Sequence, residues 1–117
     1  MSIERPSQHV TIAHAAGDAQ FNDELVQLSE VVASGAFSLV LDMGEIRYMN
    51  SSHLAKILKL RKLLVGSDRR LILAKVHPQV FNTFLVTGLD KIFEFADTVP
   101  EAQKCLEPPD PRIARKG

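Results

Sequence analysis

The 117 residues hold a single cysteine, Cys105, so the chain can close no internal disulfide and offers no thiolate cage for a metal. A reducing compartment is the expectation. Net charge is also missing. Fourteen Lys and Arg balance fourteen Asp and Glu, which removes the broad attraction to nucleic acid or anionic lipid that a basic chain would have. No stretch approaches the roughly 20 apolar residues that cross a bilayer. The opening Met1-Ser2-Ile3-Glu4-Arg5-Pro6 has none of the apolar character of a secretory leader. The cytoplasm is therefore the expected location. Phosphate-cradling signatures are lacking: Gly17 and Gly88 stand alone, without G-x-x-x-x-G-K-[ST] or G-x-G-x-x-G. The histidines His9, His14, His53 and His77 fall in no paired ligand spacing, and His9 and His14, an odd number of positions apart on one strand, would point to opposite faces. No catalytic residue, metal site or cofactor is expected.

What is present is an ordinary globular balance, 45% hydrophobic and 24% charged, sized for one folding unit. Alternation from His9 to His14 predicts a half-buried strand, with Pro6 before it suiting an edge. Phe21, Leu25, Leu28, Val31 and Val32 then recur at helical spacing until Gly35. The run Phe37 to Asp42 reads as a buried central strand, and Leu71 to Ala74 as another. Between them Leu54, Ile57, Leu58, Leu64 and Val65 mark a second helix. Pro78 opens a third helix through Leu85, with Gly88 as its stop, and Ile92 to Phe95 reads as a short strand. A last helix follows Thr98-Val99-Pro100 and runs to Leu106, with Cys105 expected on its apolar face as a buried, inert thiol. Strands alternating with helices through short connectors predict an α/β sandwich of four to five mostly parallel strands and about four helices. The domain is placed at residues 1–107, and the proline-rich segment 108–117 is expected to be a mobile tail.

Charge is balanced in total but not in order. Residues 6–46 contain no Lys or Arg while carrying Asp18, Asp23, Glu24, Glu30, Asp42 and Glu45. From Lys56 to Arg70 the cations Lys56, Lys59, Arg61, Lys62, Arg69 and Arg70 face Asp68 alone. The plain reading is a solvated helix face; the sharper one is a bipolar surface that orients a protein partner.

Asn50-Ser51-Ser52-His53 is the most suggestive segment. Three good N-cap residue types precede the second helix, and capping alone would account for them. A hydroxyl at that position, once phosphorylated, would also set a charge of about −1.5 to −2 where the helix dipole favours it and would change the surface a partner meets.

With Leu39-Val40-Leu41-Asp42, Ile46 to Ala55 and Thr87-Gly88-Leu89-Asp90-Lys91-Ile92-Phe93 in place, the chain resembles the STAS domain of bacterial anti-sigma factor antagonists. That family's pattern is a strand ending in Asp, a short hydrophobic step, D-S-S-G-L-G or D-S-T-G-L-G at a helix start, and a later T-G-L. The resemblance implies a non-enzymatic regulator that binds an anti-sigma factor with a histidine-kinase-like ATPase fold. It implies phosphorylation at Ser52 or, second, Ser51, and a PP2C-like phosphatase that resets the switch. Asn50, Ser51, Ser52, His53 and Lys56 would form the partner-binding face. Three positions depart from the motif: Asn50 stands for Asp, His53 for the first Gly and Ala55 for the second. Ala55 suits a helix. Asn50 keeps a cap but drops a carboxylate, and His53 adds an imidazole beside Ser52. These two changes favour the alternative of a STAS interaction module in a larger signalling or lipid-transport assembly, working without phosphorylation.

Overall fold

Odd-numbered and even-numbered positions of the strands belong to different cores, and that division organises the molecule. In a computed structural model, which describes residues 1–107, strand β2 (Val10–His14) lies beside β3 (Ser38–Asp42), then β4 (Leu71–Ala74) and β5 (Glu94–Ala96), all parallel. Strand β1 (Ser2–Glu4) pairs antiparallel with β2, so the sheet order is β1-β2-β3-β4-β5. Ala13, Leu39, Leu41, Leu71 and Leu73 face helices α1 (Asp18–Ala33), α2 (Ser51–Val65) and α3 (Pro78–Thr87), which contribute Phe21, Leu25, Ile57, Leu60 and Phe84. Val10, Ile12, Val40, Ile72 and Ala74 face α4 (Val99–Leu106), which contributes Ala102. With both faces covered, the parallel strands read as nearly continuous apolar runs. The single-domain α/β expectation is met by this sheet of five strands and four α-helices.

Several local expectations are corrected. Residues 2–4 are exposed throughout and carry no alternation long enough to read, yet they form the edge strand. Strand β2 is therefore interior rather than an edge, and Val10 to Ala13 are buried on both faces because α4 covers the second one. His9 lies just outside it. The strand expected over Ile92 to Phe95 starts later, with β5 running from Glu94 to Ala96 after a 3-10 turn at Leu89–Lys91, and Gly88, at φ 77°, supplies the left-handed residue that ends α3. Cys105 is exposed, not buried. In so short a helix the inward side is set by Ala102 and Leu106, one turn apart, and Cys105 falls on its flank. The tail expected at 108–117 lies outside the described residues.

The two charge blocks are largely spent on the fold. Asp18 accepts the backbone N–H groups of Arg47 and Tyr48 at 3.0 and 3.1 Å, and Glu24, buried in α1, accepts that of Ala16. Arg69 donates to the carbonyls of Val32, Gly35 and Phe37. Arg61 donates to the carbonyl of Ile92, and Arg70 holds Glu94. Lys56, Lys59 and Lys62 remain for the outer side of α2.

Candidate functional site at the start of the second helix

Strand β3 ends at Asp42, and an eight-residue connection returns the chain to the foot of α2 at the carboxyl end of the parallel sheet. This is where open α/β sheets place their working loops. The connection is fixed from both sides. Asp18, in the first turn of α1, takes the Arg47 and Tyr48 amides. On the other side, the ring of His77, the residue before α3, hydrogen-bonds the Gly44 carbonyl at 2.8 Å, and the Gln79 amide in the first turn of α3 donates to the Arg47 carbonyl at 3.4 Å. Sequence reading missed all three supports, because each joins residues about 30 positions apart in the chain and no local pattern marks such a pair.

Asn50 is the N-cap. Its Oδ1 accepts the His53 N–H at 2.9 Å, and its own N–H donates to His53 Nδ1 at 3.3 Å, which closes a capping box with histidine in the position usually held by Glu or Gln. For Nδ1 to accept, the imidazole must be neutral with its proton on Nε2. Burial pulls the His53 pKa below its ordinary value and the Lys56 charge adds to that, against an opposing contribution from Asp18. The fold therefore favours the neutral ring. Its stabilisation is present above the ordinary imidazole value and is lost as pH falls through the depressed one. His53 points inward, only 5% exposed, between Phe21 at 5.1 Å and Tyr48 at 6.3 Å. The imidazole that departs from the family motif is thus spent on the cap and the aromatic contact. Tyr48 is left as the exposed ring beside the helix start.

Because Asn50 does the capping, the two serine hydroxyls are not needed for it. Ser51 and Ser52 are both exposed in the first turn of α2, and the Lys56 ammonium donates to Ser52 Oγ at 2.9 Å, one turn along the helix. Asn50→Ala is expected to cost about 1 kcal/mol, the usual value of a lost cap. Urea denaturation followed by circular dichroism would measure it, and a loss comparable to that of a neutral surface change would mean that the box contributes nothing.

Comparison with known proteins agrees with this geometry. The sequence pattern of the STAS domain matches residues 19–102, which include the sheet from β3 to β5 and the serine pair. The chain belongs to the STAS domain family. A Bordetella bronchiseptica relative, BtrV, named as an anti-sigma factor antagonist, is 29% identical over 86 residues, covering 74% of each chain. Among solved STAS structures, a Thermotoga maritima protein named as an anti-sigma factor antagonist superposes with a TM-score of 0.78 at 17% identity, over 90% of this chain and 92% of that one. SpoIIAA of Bacillus, an anti-sigma factor antagonist solved unphosphorylated and phosphorylated, gives TM-scores of 0.71 and 0.70 at 21% and 19% identity. Those two structures cover 86% and 91% of this chain, and it covers 90% and 98% of them. At such identities the solved STAS structures speak for the fold.

Proposed function

We propose that this STAS domain is an anti-sigma factor antagonist that acts by binding an anti-sigma factor of kinase-like ATPase fold and is released by phosphorylation at the start of α2. Ser52 is the first acceptor and Ser51 the second. The observation that carries the reading is the division of labour at the helix start. Asn50 and His53 hold the cap between them, so a phosphate on Ser52 leaves the helix intact. Its charge is favoured by the helix dipole and partly offset by Lys56, whose ammonium is already 2.9 Å from Ser52 Oγ. The effect of modification then falls on the surface, where a partner resting on Asn50, Ser51, Ser52, Tyr48 and Lys56 meets a new dianion. A PP2C-like phosphatase would restore the hydroxyl. The names borne by BtrV and SpoIIAA support the reading, as does the existence of SpoIIAA in two phosphorylation states.

The test is to incubate the protein with its cognate kinase and ATP and map the product by peptide mass spectrometry. Phosphate is expected on Ser52, with Ser51 modified more slowly. A kinase that binds the protein but leaves both serines unmodified would overturn the switch and favour the unphosphorylated interaction module.

A further inference from the structure

On the α4 side of the sheet, at its carboxyl end, one histidine joins three strands. His14 and Asp42 are directly opposite in the parallel β2–β3 register, and His14 Nδ1 meets Asp42 Oδ2 at 2.5 Å. On the other side His14 stands diagonally across from Glu4, since Glu4 pairs with Ile12, and Nε2 is hydrogen-bonded to Glu4 Oε2. Carboxylate oxygens only accept, so both ring nitrogens must donate, and that is possible only for imidazolium. We propose that Glu4, His14 and Asp42 form a proton-dependent latch that keeps the Glu4 end of the edge strand β1 on the sheet while His14 carries both protons and frees that end when one is lost.

The asymmetry of the site decides which arm opens. A neutral ring keeps one N–H and turns a lone pair toward the other carboxylate, which is repulsive. The side chain of Asp42 is 13% exposed and that of Glu4 59%, so water replaces the Glu4 contact at far smaller cost. Asp42 is also tied down elsewhere, its Oδ1 accepting the Gly44 N–H at 2.9 Å. Strand β1 is three residues long and exposed throughout; its start is anchored separately, by the Met1 ammonium on Glu24 at 3.1 Å, so the Glu4 end is the one that depends on His14. The charged groups around the ring are Glu4 from β1, Asp42 from β3 and, beyond Asp42, Lys75 from the end of β4, whose side chain lies over Gly44. From α1, Glu24 is turned to the Ala16 amide and to the Met1 ammonium.

Burial lowers the His14 pKa, but hydrogen bonding and charge from Asp42 and Glu4 outweigh it, and the net shift is upward. The sign follows. The latch stabilises the fold fully below the ordinary imidazole value, and its contribution disappears as pH rises through the raised value. This is opposite to the His53 cap, which weakens in acid, so the two histidines can be told apart by direction alone.

Nuclear magnetic resonance on the full chain tests the proposal between about pH 5.5 and 8.5, the range over which imidazole titrates. The His14 ring shifts report its protonation, and cross-strand contacts between Ile3 and Ala13 report the docking of β1. The expected result is loss of those contacts, with increased mobility of residues 2–4, in step with the His14 titration. In Glu4→Gln the His14 midpoint should fall, and in His14→Gln the state of β1 should no longer depend on pH in that range. Strand β1 staying docked on both sides of the His14 titration would overturn the latch, as would its release at a pH that His14→Gln does not change.

Discussion

Ser52→Asp is expected to weaken binding of the proposed anti-sigma factor partner at least tenfold, about 1.4 kcal/mol, while Ser52→Ala keeps the wild-type affinity. The two variants differ in charge at the first turn of α2 and hardly in structure, since neither removes a capping group: Asn50 accepts the His53 amide and His53 accepts the Asn50 amide in both. Aspartate is a partial mimic, with one negative charge against the near two of a phosphate, so the modified protein should bind more weakly still. Lys56 would pair with the new carboxylate and soften its effect. Lys56→Ala in the Ser52→Asp background is therefore expected to lower affinity further. Surface plasmon resonance gives the affinities, and thermal melts confirm that each variant is folded. If Ser52→Asp and Ser52→Ala both bind a confirmed partner as the wild type does, the contact lies elsewhere, and Lys59 and Lys62 on the same helix are the next positions to reverse in charge.

The largest effect on stability is expected from Phe84→Ala, about 3–5 kcal/mol. Phe84 is completely buried in α3 and meets the rings of Phe93 and Phe95 edge-on, each at 5.3 Å between centroids. Its removal leaves a cavity under α3 and strips both neighbours of an aromatic partner. For a domain whose total stability is of the order of 5–15 kcal/mol, that is a large fraction. Phe84→Leu should recover more than half of the loss. Urea denaturation followed by circular dichroism measures both, and a cost below about 1 kcal/mol for the alanine variant would mean that α3 collapses onto the sheet and refills the space.

The sequence carries the fold class and the cap of α2 openly, because both depend on local patterns. Apolar runs of four to six residues, alternating with helical periodicity and separated by Gly or Pro, leave few arrangements other than parallel strands with crossover helices. Asn50-Ser51-Ser52 announces a helix start in the same way, and the hydroxyls stand where that reading puts them. The rest depends on contacts between distant residues. Nothing about Asp18 distinguishes it from a solvated first-turn acid, yet it pins the loop that leads to Ser51. Glu24 reads as surface charge and is buried. His53 reads as an imidazole offered to a partner and is turned inward, since a histidine at the third helical position can reach back to the cap nitrogen only when the aromatic space between Phe21 and Tyr48 is available to it. Strand β1 was illegible for another reason: three exposed residues form a strand because β2 presents an open edge, His14 bonds Glu4 and buried Glu24 receives the Met1 ammonium.

The strand order β1-β2-β3-β4-β5 also bears on how the chain is made. Each strand lies next to the one before it, so a ribosome-bound nascent chain can add them one at a time without waiting for a distant segment. The far side of the sheet is different. Val10, Ile12, Val40, Ile72 and Ala74 are covered only by α4, the last helix of the described residues. Until residues 99–106 have emerged, that apolar surface is bare, and it is during this interval of synthesis that the chain is most exposed to aggregation and most in need of a chaperone.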